Sequence, residues 1–262
     1  MTGLASHGSA TSNAFLALAA LASAHGVPLT YYGRPVPAWM ATAGPHGAAL
    51  RLGATYVPMA DYGDVFRDAA GDMTARPVPP AGLEGGAGTA WVPQGGSGPG
   101  AEAGVAALAA ELEAYASREG LVRPGVVVAS GTGCVAAYLH RHAPSLRVFA
   151  VPCVGSADFL ERQWGGLGAA APEVLEPTRP AKFAEPSAVA LGVWEEVRAA
   201  APGIDFDLAY APRAWEAVFD AWDDAQKTAL PADLIYYHCG GAADVAMESM
   251  RARYRRAGLL GR

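Results

Sequence analysis

Residues Val126–Leu139 read VVVASGTGCVAAYL. Four apolar residues run into Ser130-Gly131-Thr132-Gly133, and an apolar, alanine-rich segment follows. The pattern predicts a buried strand, a tight glycine turn and the first turns of a helix. Glycines let the backbone approach a ligand closely, and the N–H groups at a helix start favour an anion such as phosphate. An ordinary strand–helix connection in an α/β fold has the same outline. The spacing Gly-Thr-Gly is what tilts the reading towards a bound group.

Two kinds of ligand separate here. Gly131-x-Gly133-x-x-Ala136 matches the form of a dinucleotide fingerprint, which also needs an acidic residue about 20 positions on, at the end of the next strand. That strand is predicted over Leu146–Cys153 and ends in Val151-Pro152-Cys153, with Asp158 beyond it. A ribose hydroxyl would lack its usual partner. A monophosphate, such as that of pyridoxal phosphate, needs only the cradle.

The 262-residue chain is long enough for one large or two modest domains, and its 52% hydrophobic content argues against disorder. A net charge of −6 without a basic run argues against nucleic acid as a partner. Cys134, Cys153 and Cys239 form no paired framework and suit a reducing compartment. Ala14–Ala24 is apolar but too short to span a bilayer, and no signal-peptide order is present. The chain reads as soluble and cytoplasmic, unless a targeting segment precedes Met1.

Towards the N-terminus, Met1–Asn13 is small and polar, and Ser12-Asn13 precedes the apolar run Ala14–His25. Capping of that helix is the plain reading of Ser12, and Gly26 stops it. A strand over Val27–Tyr32, a proline-punctuated loop over Arg34–Trp39, a helix over Pro45–Leu52 and a strand over Ala54–Met59 come next. Tyr62–Gly71 reads as a short helix, and Ala75–Gly88, rich in Pro and Gly, as the linker. Trp91–Gly100 is a strand end with a glycine loop, and Ala101–Ser117 a long helix.

Beyond the central segment, helices are predicted near Asp158–Trp164 and over Ser187–Ala201, Arg213–Asp224 and Ala242–Arg256. Pro172–Pro186 is irregular, Asp207–Pro212 a short strand or turn, and Leu234–Tyr237 a last strand. This alternation implies two three-layer α/β/α units with mainly parallel sheets. They would be a smaller domain over 1–85 and a larger one over 86–262 carrying the phosphate loop. Four glycine- or hydroxyl-rich turns precede helices, at Ser9–Asn13, Gly95–Gly100, Ser130–Gly133 and His238–Gly241. Ligands bind at such strand ends.

Other constellations fall away. No Cys-x-x-Cys or His-x-x-x-His spacing supports a metal site, and Gly-x-Ser-x-Gly is absent. His238 and Cys239 are adjacent, so on a strand end their side chains point to opposite faces, and a buried, inert cysteine is the plain reading. Trp215, Phe219 and Trp222 recur at helical spacing and read as core or as a partner-facing stripe, which leaves a homodimer open.

The order of motifs resembles the pyridoxal-phosphate enzymes of the tryptophan-synthase-β fold, specifically the aminocyclopropane-carboxylate deaminase and D-cysteine desulfhydrase family. The stretches that carry the resemblance are Gly8–Ala24, Val92–Ala107, Val126–Leu139, Phe206–Trp215 and Ile235–Gly241. It implies a deaminase or lyase acting on a small amino acid with pyridoxal 5'-phosphate as cofactor. Thr11-Ser12-Asn13 is similar to the family's Gln-Ser-Asn, with Ser12 assisting proton movement, Asn13 meeting the cofactor's phenolic oxygen, and the helix start receiving the substrate carboxylate. Ser130, Gly131, Thr132, Gly133, Cys134 and Val135 would form the phosphate cup. Tyr210 would lie over the cofactor, and Cys239 near its pyridine nitrogen.

Three departures qualify the activity. Val135 stands where the family's loop usually ends in a hydroxyl residue, and Cys239 is a weak hydrogen-bond partner. The family's Schiff-base lysine precedes the serine–asparagine helix in a Gly-Asn-Lys segment, whereas the only lysines here are Lys182 and Lys227, neither in a matching context. The expectation is a chain whose smaller domain lacks its N-terminal segment and whose chemistry is impaired. A non-catalytic cofactor-binding or regulatory relative is the alternative, and an NAD-dependent oxidoreductase the less favoured one.

Overall fold

The computed structural model describes residues 1–38, 41–61, 88–223, 230–240 and 244–261. They form two four-stranded parallel sheets, each within its own compact unit, Met1–Gly98 and Pro99–Arg262. This division falls later than the expected 85/86 boundary because the strand Thr89–Val92 pairs with the first sheet. The helix expected at Tyr62–Gly71 and the linker up to residue 87 lie outside the described residues.

The first unit runs β1 (Gly3–His7), α1 (Asn13–Ala24), β2 (Leu29–Gly33), α2 (Gly44–Arg51), β3 (Thr55–Pro58) and β4 (Thr89–Val92), in sheet order β3-β2-β1-β4. β1 corrects the reading of Met1–Asn13 as merely small and polar. Its sequence, GLASH, has no β-branched residue, yet all five residues are buried. Ladders to β2 on one side and β4 on the other make it an inner strand, so tertiary pairing overrides weak propensity. Leu4, Leu29 and Tyr31 face α1 and α2, where Phe15 stacks on Tyr31 with ring centroids 4.1 Å apart. Ala5 and Tyr32 face the other way, packed with Val57, Met59 and Trp91.

The second unit contains α3 (Glu102–Arg118), β5 (Gly125–Ser130), α4 (Cys134–His142), β6 (Arg147–Pro152), α5 (Ala157–Leu167), β7 (Glu173–Val174), α6 (Ala188–Ala200), α7 (Ala211–Asp223), β8 (Leu234–Tyr237) and α8 (Asp244–Arg256). Sheet order is β7-β6-β5-β8, and β7 is a two-residue strand inside the segment read as irregular. Strand periodicity assigns the faces. Val126 and Val128 join α3, α4 and α5 in one core, while Val127 faces Ala214, Ala217 and Val218 of α7 in another. Each of these valines, fully buried, contributes about 1.5–3 kcal/mol. The opposite side of α7 packs on α6 and α8 through Trp215 and Phe219, so most of the aromatic stripe is core; only Trp222 stands 52% exposed. No helix among the described residues is long and apolar enough to cross a membrane.

His7, at the end of β1, is fully buried and stacks on Trp91, and its Nε2 accepts the Gln94 N–H at 3.2 Å. Burial pushes its pKa down from 6.5 to about 4. As pH falls through that window the unfolded chain takes up the proton first, so stability is full above 6.5 and is lost towards 4. The loss attributable to His7 is about 3 kcal/mol. Urea unfolding across pH 7 to 4 should show His7→Gln losing less stability than the parent by that amount; an equal loss in both proteins contradicts the assignment.

Candidate active site

The strand–turn–helix read from Val126–Leu139 is present, with β5 ending at Ser130 and α4 starting at Cys134. The Ser130 hydroxyl is buried and donates to the Val128 carbonyl at 3.0 Å, while its own carbonyl accepts the Cys153 N–H at 2.9 Å. Ser130 therefore ties the loop to β5 and to the end of β6. Gly133 caps α4 in the left-handed region at φ 72°, and no side chain caps that helix. A Cβ on Gly133 would lie 2.6 Å from Nε1 of Trp164, the atom that donates to the Gly133 carbonyl at 3.0 Å. Cys134 is buried in the core, and Thr132 and Val135 are half-buried.

Above Gly131 the nearest atom to a hypothetical Cβ is the Tyr210 hydroxyl, 3.5 Å away, with Val154 at 3.9 Å. The stretch Asp207–Pro212, whose pattern fits a short strand or a turn, bends at Tyr210, and a neighbouring residue shapes that bend. The buried Asp207 carboxylate accepts the N–H groups of Ala209 (2.8 Å), Tyr210 (2.5 Å) and Ala211 (3.3 Å), which lead into α7. Its signal is an aspartate four residues ahead of an amphipathic run, where its carboxylate can gather the N–H groups of the turn that follows. The Tyr210 ring rests on Phe183, centroids 4.8 Å apart. Desolvation, then the neighbouring Cys153 and Asp207, push the Tyr210 pKa well above the usual phenol value, so it is a protonated donor at neutral pH.

Burial likewise pushes the Cys153 thiol up to about 12, which makes it inert as a nucleophile. Cys239 differs from its buried reading: it is exposed beyond the end of β8, and its thiol donates weakly to the Tyr237 carbonyl at 3.7 Å. The neighbouring His238 accepts the Gly240 N–H at Nδ1 (3.0 Å), so Nε2 carries the proton donated to the Asp205 carbonyl (2.9 Å).

In the first unit, Ser12 caps α1: its hydroxyl accepts the Ala14 N–H at 3.2 Å. The Ser9 and Thr11 hydroxyls lie 3.0 Å apart on the preceding turn. Next to that turn is a cavity of about 350 Å³, at the carboxyl ends of β1 and β2, lined by Gly8, Ser9, Ala10, Thr11, Gln94 and the Arg34–Pro37 loop. Thr11 borders it, whereas Ser12 and Asn13 sit half-buried on α1 outside its lining. Arg34 is the one charged residue of the lining and went unremarked in the sequence, although strand carboxyl ends are where such groups gather.

A phosphate fits the second unit's loop: the start of α4 lacks a side-chain cap, Gly131 leaves backbone accessible, and the Tyr210 hydroxyl faces it. An amine for the cofactor's aldehyde is less well served. Lys182 is exposed in the irregular segment before α6, and Lys227 lies outside the described residues.

This is the tryptophan-synthase-β-like α/β fold. Among solved structures, an ACC deaminase homologue superposes with a TM-score of 0.69 at 15% identity, covering 99% of this chain and 78% of the other. Diaminopropionate ammonia lyase from Escherichia coli gives 0.59 at 17% identity, covering 98% and 68%. A pyridoxal 5'-phosphate-dependent aspartate racemase gives 0.57 at 16%, covering 94% and 75%. No family model and no curated protein matches the sequence.

The two loop glycines should respond differently to alanine. Gly133→Ala meets both a left-handed backbone and the Trp164 ring, and should cost about 2–4 kcal/mol in urea unfolding. Gly131→Ala meets only ordinary contacts and should fold normally. A Gly133→Ala protein as stable as the parent contradicts the described turn.

Proposed function

We propose that this chain binds pyridoxal 5'-phosphate and belongs by function with deaminases and lyases of small amino acids. Aminocyclopropane-carboxylate deamination or D-cysteine desulfhydration is the finer choice. One observation carries the reading: a protonated tyrosine hydroxyl faces the glycine loop at the start of a helix without a side-chain cap. The named neighbours support it, since they include an ACC deaminase homologue, an ammonia lyase and a pyridoxal 5'-phosphate-dependent racemase.

In this reading the loop from Ser130 to Val135 holds the phosphate through backbone N–H groups, and Tyr210 adds a hydroxyl donor. Cys239 would be a weak partner for the ring nitrogen. When bound, the cofactor supplies an electron sink for cleavage beside the amino group. By the resemblance, Thr11 and the start of α1 would receive the substrate carboxylate, and Asn13 would meet the cofactor's phenolic oxygen. Ser12 accepts the Ala14 N–H, which leaves its own proton to give. Tyr210 holds its proton too firmly to act as a base, so its part is donation.

No lysine stands in a matching context, so the chain as given should turn over poorly or not at all. The same observation favours a second reading, a cofactor-binding relative without chemistry.

Titration with pyridoxal 5'-phosphate, followed by borohydride reduction and peptide mapping, tests this. Saturable binding without a stoichiometric lysine label is expected. A full label at one lysine together with turnover overturns the impairment. Failure to bind pyridoxal 5'-phosphate, with saturable binding of NAD, overturns the cofactor assignment.

A further inference from the structure

We propose that Asp207 is a positioning residue that sets the Tyr210 hydroxyl over the glycine loop; this rests on the reading of Tyr210 as a cofactor contact. Three observations converge. Asp207 is buried, 5% exposed, and its carboxylate is in no ion pair among the described residues, His238 acting on it only through space; its hydrogen bonds come from the N–H groups of Ala209, Tyr210 and Ala211. One oxygen takes the Ala209 and Tyr210 N–H groups together, which fixes the peptide that bears the Tyr210 side chain. The hydroxyl so placed is the nearest atom to the space above Gly131.

A helix cap alone would need only one or two of those donors. Here the carboxylate gathers the whole turn between Phe206 and α7. Burying a carboxylate is costly without such donors, and three charge-assisted bonds offset that cost. The turn is held from its other side as well. The Cys153 thiol donates to the Tyr210 carbonyl at 3.8 Å, and Phe183 lies against the ring. With backbone and ring both fixed, the hydroxyl has little freedom, and removing Asp207 releases the backbone half of that restraint.

The test is a double-mutant cycle read as affinity for pyridoxal 5'-phosphate, by quenching of intrinsic fluorescence, with folding checked by circular dichroism. Tyr210→Phe should weaken binding about tenfold, the loss of one hydrogen bond to a charged acceptor. Asp207→Ala should weaken it by a similar factor, and the double variant no further than Tyr210→Phe alone. Asp207→Asn keeps the shared acceptor oxygen and should restore affinity to within about twofold of the parent. If Asp207→Ala does not fold, Asp207→Gly takes its place, since glycine imposes no side-chain restriction on the turn. Multiplying losses in the double variant, or full affinity in a folded Asp207→Ala protein beside a weakened Tyr210→Phe, overturns the inference alone. Unchanged affinity in Tyr210→Phe overturns the reading of Tyr210, and this inference with it.

Discussion

The chain must turn from β5 into α4 within three residues, and that turn closes only with a left-handed residue at Gly133. The conformation is held from outside: the Trp164 indole N–H donates to the Gly133 carbonyl, and the ring occupies the space a side chain would need. Trp164 itself is buried in the core shared by α3, α4, α5 and one face of the sheet. Residues of α5 thus determine the shape of a loop two elements earlier. Relaxing that packing would let the α4 start rotate and its N–H groups lose their common direction.

An anion at this loop would be held by contributions of unequal size. The helix start contributes about 0.3–1 kcal/mol through its dipole where exposed, more when partly buried. Each hydrogen bond to a charged phosphate oxygen contributes about 1.5–3 kcal/mol. Individual donors therefore decide affinity, and the Tyr210 hydroxyl is a side-chain donor that the structure brings to Gly131. The groups around it are tuned by burial: desolvation keeps the Cys153 and Tyr210 protons in place, and it raises the Asp207 pKa against the pull of three N–H donors to the carboxylate. An entering anion meets the helix-start dipole and a phenol donor.

What the sequence made legible follows from how strongly local pattern and tertiary context agree. Val126–Leu139 combined a β-branched run with a glycine turn, and both survive in any environment, so strand, turn and helix start fall where expected. GLASH is the opposite case: one leucine among four small or polar residues becomes an inner strand because two neighbours pair with it, information no local window holds. β7 is similar, two residues defined only by their ladder to β6. The resemblance singles out Tyr210, and the structure brings its hydroxyl towards Gly131, whereas Asp207 shows in the sequence only as an acidic residue ahead of an amphipathic run, in a stretch whose pattern fits strand or turn. The exposure of Cys239 could not be read from a strand-end pattern, since alternation says which way a side chain points and not what covers it.

A cradle of this kind is built largely from groups that folding already requires. Gly133 answers to Trp164, the Ser130 hydroxyl is committed to Val128, and Cys134 fills core. Their presence follows from the stability of the second unit, with or without chemistry at the loop. The informative positions are those that folding does not demand: the hydroxyl of Tyr210, where a phenyl ring would pack on Phe183 equally well, and the exposed Cys239. A buried Asp207 carrying three N–H groups belongs with them, because a plain asparagine or serine cap would start α7 without burying a carboxylate. Side chains whose polar atoms exceed what the fold needs are the ones that argue for a ligand, and two of these three, Tyr210 and Asp207, share the turn between Phe206 and α7.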